Sequence, residues 1–107
     1  MANATRQSDI ARGPFIGRYS GTTAAQNIHI GFKPALILAY NQTDGDKIWV
    51  WSKNDVANIV TVDTEVATEV VAIAQVDNGT VLGFSLPSNA SVNEDAKVFV
   101  FIAYPEA

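Results

Sequence analysis

The 107-residue chain contains no cysteine, one histidine and one methionine, and only 17% of its residues are charged. Without cysteine there is no disulfide staple, no thiolate nucleophile and no thiolate-ligated metal, so stability has to come from packing or from neighbours. Charge is scarce beside the roughly 25% of an average soluble protein. The balance is acidic, with seven Lys and Arg against eleven Asp and Glu and a formal net charge of -4. A nucleic-acid-binding surface is normally basic, so no nucleic acid is expected as a partner. No window reaches the roughly 18 apolar residues of a membrane span. Met1 to Gly13 lacks the apolar centre of a secretion signal. The expectation is a protein that enters no membrane and is not exported by a cleaved leader. Asn-x-Ser/Thr triplets begin at Asn3, Asn41, Asn78 and Asn89 and are read as turn chemistry.

What is present is a folded-chain composition, 48% apolar, arranged in short runs. Residues 1–13 show neither a strand nor a helix period and end in Gly13-Pro14, which marks an N-terminal arm. From 14 to 107 the texture is one domain of apolar stretches punctuated by Gly, Pro, Asn and Asp, as in all-β folds. Candidate strands are Phe15 to Tyr19, Asn27 to Ile30, Ala35 to Tyr40, Lys47 to Trp51, Ala57 to Val62, Val66 to Val76, Thr80 to Leu86 and Lys97 to Tyr104. Asp44-Gly45 and Asp77-Asn78-Gly79 are hairpin turns. Val66, Val70 and Ile73 also fit helical spacing, but the density of Val and Ile favours a strand. Pro87 to Asn93 is a polar loop. Seven or eight short strands predict an all-β, two-sheet β-sandwich, jelly-roll-like, with an extended arm.

Residues able to carry chemistry are few. His29 lies at a polar-facing position of an alternating strand, with no carboxylate or nucleophile at a recognisable spacing, and is read as structural. Asp44-Gly45-Asp46 is the best carboxylate cluster, yet it lacks the other ligands of a calcium loop, and a hairpin turn explains it. The glycines have neither a dinucleotide-binding nor a P-loop spacing. No catalytic residue, metal ligand or cofactor is assigned, and the chain is expected not to be an enzyme.

The informative feature is that two strands are apolar on both faces. Side chains alternate across a strand, so Ile48 and Val50 oppose Trp49 and Trp51, while Val98, Val100 and Ile102 oppose Phe99, Phe101 and Ala103. A solitary two-sheet sandwich should read apolar inward and polar outward. Strands greasy on both sides need a second cover, either from the chain's own loops and arm or from another subunit. The candidate interface residues are Trp49, Trp51, Phe99 and Phe101, because aromatic residues dominate interface energetics, together with Arg6, Ile10 and Arg12 of the arm.

The run Gly17-Arg18-Tyr19-Ser20-Gly21, followed by Gln26-Asn27-Ile28-His29-Ile30-Gly31-Phe32-Lys33-Pro34-Ala35-Leu36-Ile37-Leu38, resembles a segment of bacteriophage virion proteins. These include tail-fibre and appendage domains and small capsid-associated proteins. The closing strand, ending in Phe101 to Tyr104, is similar too. In the chain itself, Gly31 and Pro34 bracket Phe32, so a sharp turn is expected to plant this ring in the core. The resemblance implies a non-enzymatic structural β-domain in the virion, made in the host cytoplasm, usually a homo-oligomer with a trimer favoured. A stand-alone chain of this length is most similar to a capsid decoration (cement) protein on the outer head surface, with the major capsid protein as partner and the arm reaching between capsid subunits. The alternative is a tail-associated or tail-fibre module that binds tail proteins or a host receptor. A small carbohydrate-active jelly roll is the third, enzymatic, alternative.

Overall fold

The computed structural model of the chain describes residues 2–3, 14–55, 58–62 and 68–106. Among the described residues ten strands form two sheets: β1 (Ala2–Asn3), β2 (Phe15–Ser20), β3 (Gln26–His29), β4 (Pro34–Asn41), β5 (Asp46–Ser52), β6 (Asn58–Val62), β7 (Thr68–Val70), β8 (Ala74–Asp77), β9 (Leu82–Leu86) and β10 (Val98–Pro105). A 3-10 turn, Lys53–Asp55, follows β5, and a single helical turn, α1 (Ala90–Asn93), precedes β10. The larger sheet runs β2-β10-β4-β5-β6-β7 and the smaller β1-β3-β9-β8. The chain is therefore an all-β two-sheet sandwich, as its turn-punctuated apolar runs lead one to expect.

Local chemistry explains most of the boundaries. The β4–β5 hairpin closes on Gly45, whose φ of +70° is the left-handed conformation that glycine adopts without penalty. Asn41 braces the turn, its Oδ1 accepting from the Asp44 N–H and its Nδ2 donating to the Asp44 carboxylate, both at 3.1 Å. The carboxylate also takes the Lys97 ammonium at 3.1 Å, so the cluster read as a turn is one, with Asp44 engaged by protein groups. The β8–β9 turn is held by the Asn78 side chain, which accepts from the N–H groups of Thr80 and Val81 at 3.0 and 2.7 Å. This is the local bonding that makes Asn a turn residue.

The long strand expected over Val66 to Val76 is instead two strands in different sheets. β7 lies at the edge of the larger sheet and β8 at the edge of the smaller one. The crossing at 71–73 buries both Val71 and Ile73 and is tightened by the Ile73 N–H donating to the Val71 carbonyl at 2.9 Å. Those Val and Ile residues serve the core at a corner, not a continuous ladder. The polar loop at 87–93 contains α1, capped by the Asn89 side chain, which accepts from the Ser91 N–H at 2.8 Å. Phe32 packs at the margin of the core and is only partly buried. Of the arm, Ala2 and Asn3 form a short parallel pairing with Ile28 and His29 of β3, whereas Arg6, Ile10 and Arg12 lie outside the described residues.

The core lies between the sheets and is built from aromatic rings. Trp49, Trp51, Phe84, Phe99 and Phe101 are 0–2% exposed. Tyr19 stacks on Phe99 with ring centroids 5.0 Å apart, Phe15 on Phe101 at 5.7 Å, and Phe84 meets Phe101 edge-on at 5.4 Å, the offset and T-shaped geometries that aromatic quadrupoles favour. The Tyr19 hydroxyl donates to the Val92 carbonyl at 2.6 Å, pinning α1 to the core. Burial pushes the Tyr19 phenol well above its ordinary pKa. A weaker polar approach of Trp49 acts the other way but falls short of hydrogen-bond geometry, since the Trp49 indole N–H has no hydrogen-bond partner among the described residues.

Candidate interaction surface

The registers of the larger sheet assemble its outer face row by row. Antiparallel partners opposite one another share a face, so Ile16, Ile102, Leu38 and Val50 form one continuous row across β2, β10, β4 and β5. Arg18, Val100, Tyr40 and Ile48 form the next. Backbone pairing extends these rows to positions 60 and 62 of β6. Ile16, Leu38, Tyr40, Ile48 and Tyr104 stay 37–43% exposed, so this face is open to solvent although almost all its side chains are apolar. Within it lies a shallow depression of about 250 Å³, floored by Leu38, Val100 and Ile102 and walled by Ile16, Tyr40 and Ile48.

The opposite side of the sandwich differs. There the outward rows are Asn27, Ser85 and Ala74, then His29, Gly83 and Val76, small and polar as an antiparallel sheet facing water should be. His29 Nδ1 accepts from the Leu82 N–H at 3.0 Å, which gives the histidine a structural bond at the β3–β9 edge. A groove of about 830 Å³ on this side is bordered by Thr22, Gln26, Asn27, Thr80 and Ser85 among others, and its described lining includes no titratable side chain. Among the described residues, no three His, Asp or Glu side chains converge as metal ligands would.

The two-sided character of β5 and β10 is thus real, but its polarity is the reverse of the one assigned to the anchors. Trp49, Trp51, Phe99 and Phe101 point into the sandwich and are closed off there; they build the core and are not open to a partner. The surface left over consists of their strand neighbours Ile48, Val50, Val100 and Ile102, joined by Ile16, Leu38 and Tyr40 from flanking strands. Volume decides the direction: stacked sheets are about 10 Å apart, a gap that indole and phenyl rings fill and that valine leaves partly empty. One signal in the sequence does give the parity of a single strand. In β2, Arg18 and Ser20 alternate with Tyr19, which sends Tyr19 inward and Ile16 outward; the pairings of β10 with β2 and with β4, which no turn in the sequence fixes, carry that parity across the sheet.

Comparison with protein-family models, with curated proteins and with solved structures gives no match.

Proposed function

We propose that the chain is a non-enzymatic structural component of a phage particle, a decoration protein that binds the outer head surface and bridges capsid subunits. The observation that supports this reading most strongly is the aliphatic outer face of the six-stranded sheet. A small chain that leaves Leu38, Ile48, Ile16 and Tyr40 partly in water gains free energy by covering them, at roughly 25 cal/mol per Å² of apolar surface. Such a face on a folded domain marks a protein–protein contact. The segment from Gly17 to Leu38, similar to virion proteins, contributes the β2 edge and the central strand β4 of this same sheet. Binding across subunit joints stabilises a shell by mass action, because the ligand binds the assembled state and not the separated one. The arm residues Arg6, Ile10 and Arg12 are proposed as the contact that reaches between capsid subunits.

The test is addition of the purified chain to expanded capsids that lack it. Co-sedimentation with the shells and a rise in their melting temperature are expected. Failure to co-sediment at tens of micromolar refutes the decoration role, and binding to host cells or surface glycans in its place moves the chain to the tail-module alternative.

A further inference from the structure

We propose that the aliphatic face of the larger sheet closes on the same face of other copies of this chain, so that the working unit is a homo-oligomer packed sheet against sheet. The inference deepens the assembly reading above by naming what covers the face.

Size is the first argument. Strands lie about 4.8 Å apart and rise about 3.3 Å per residue, so the six strands of three to eight residues present a plan area of about 600 Å². Side-chain relief and a surrounding rim bring that close to the roughly 800 Å² per partner of a standard stable interface.

Charge is the second. The described positions in the outward rows carry one charge, Arg18, on the marginal strand β2. The acids whose side chains are described sit at the ends of the sandwich. Asp44 pairs with Lys97 in the β4–β5 turn, and Glu94 and Asp95 lie between α1 and β10. Glu106, beyond β10, meets Lys53 at 2.8 Å and Lys33 at 3.7 Å. Two copies of net charge -4 can therefore bring these faces together without opposing like charges across the centre. A foreign partner selected by charge would find only Arg18 there to complement.

Chemistry is the third argument. The two rows offer few hydrogen-bonding groups, the guanidinium of Arg18 on the marginal strand and the hydroxyl of Tyr40. Interfaces between identical subunits are the more apolar kind, whereas contacts between separately folded partners are as polar as ordinary surface. The depression between Ile16, Tyr40 and Ile48 gives the ridges of a facing copy somewhere to seat.

The experiment is sedimentation equilibrium on the full chain, without capsids, from 1 to 100 µM. Wild type is expected at two or three times its 11.5 kDa monomer mass. L38D and, separately, I48D should weaken association at least 100-fold. N27D on the polar outer face of the smaller sheet should leave it unchanged. Circular dichroism and tryptophan emission confirm that each variant is folded. A wild-type monomer at 100 µM overturns the proposal whatever the variants do, and so does an oligomer indifferent to both aspartates. A monomer that still binds capsids leaves the decoration role standing with this face as the capsid contact. An oligomer that ignores capsids supports the inference and removes the decoration role.

Discussion

Asn93 is fully buried in a stretch that reads as a solvated loop, and its replacement tests how the end of the sandwich is held together. Its Oδ1 accepts from the Thr22 N–H at 3.0 Å and from Gln26 Nε2 at 2.7 Å. Its Nδ2 donates to the carbonyls of Ala24 at 2.8 Å and Pro87 at 3.1 Å. In Asn93→Ala three of these partners keep another bond. Gln26 Nε2 still reaches the Ser20 carbonyl, the Ala24 carbonyl still accepts from Thr22 Oγ1, and the Pro87 carbonyl still accepts from the Asn89 N–H. Only the Thr22 N–H loses its partner, on a residue that water can reach. Four bonds at about 0.5–1.5 kcal/mol each, three of them partly replaced, give an expected loss of about 2–4 kcal/mol. That is a large part of the roughly 5–15 kcal/mol that holds a domain together. Asn93→Asp keeps the volume and both accepted bonds but turns a carboxylate oxygen toward two carbonyls in a dry site, which costs more than the alanine. Urea unfolding followed by tryptophan fluorescence measures both. A loss below about 0.5 kcal/mol for the alanine, or an aspartate variant more stable than the alanine variant, would refute the reasoning.

A Cβ at Gly83 would run into the Ile28 carbonyl of the paired strand, while one at Gly79, φ +86°, meets no atom within 4 Å. Gly83→Ala should therefore cost about 3 kcal/mol or more as strands β3 and β9 are forced apart. Gly79→Ala should cost only the roughly 1–2 kcal/mol of left-handed strain, and equal melting temperatures for the two would contradict this. The second expectation concerns alkaline pH. Burial raises the folded-state pKa of Tyr19 above its unfolded value of about 10. Its contribution is thus complete below about pH 10 and is lost as pH rises from there toward the folded pKa. Tyr19→Phe, which deletes the bond to Val92, should cost about 1 kcal/mol at pH 7 and decline less steeply above pH 10. Parallel pH–stability curves for wild type and variant would show the phenol to be solvated.

Much of this architecture is legible because its turns are chemically marked. Asp44-Gly45 and Asp77-Asn78-Gly79 fix two hairpins, and the strand ends that meet these turns fall within two residues of where alternation and turn residues put them. The crossing at 71–73 carries no such mark. Val70-Val71-Ala72-Ile73 contains neither Gly nor Pro, and a corner in which buried Val71 and Ile73 flank exposed Ala72 alternates as the middle of a strand does. Asn93 is invisible for another reason. Its burial depends on Thr22 and Gln26, 71 and 67 residues away in the chain, and Ser-Asn-Ala-Ser-Val-Asn taken alone reads as surface. The apolar doubling of β5 and β10 is visible, but hydrophobicity cannot tell the two faces apart, whereas side-chain volume can.

The buried tryptophans show why the aromatics stay inside even at a cost. The indole N–H groups of Trp49 and Trp51 are both buried with no hydrogen-bond partner among the described residues, and an unmet buried donor costs about 1–3 kcal/mol. An indole buries about 150–250 Å², which at about 25 cal/mol per Å² returns about 4–6 kcal/mol, so the rings remain in the core with an unmet donor. Turning β5 over would expose both rings and bury Ile48 and Val50, which are too small to span the gap between the sheets. The aliphatic face is consequently the remainder of a sheet whose larger side chains the core has already taken. It cannot be hidden by re-registering any strand, because a one-residue slip exchanges the whole set. Under the proposed self-association its cover comes from other chains, and apparent stability then depends on protein concentration by mass action. Wild type should melt at a higher temperature as concentration rises from 1 to 100 µM, while L38D should melt at one temperature throughout; a wild-type midpoint independent of concentration would mean that the face carries its exposure without help.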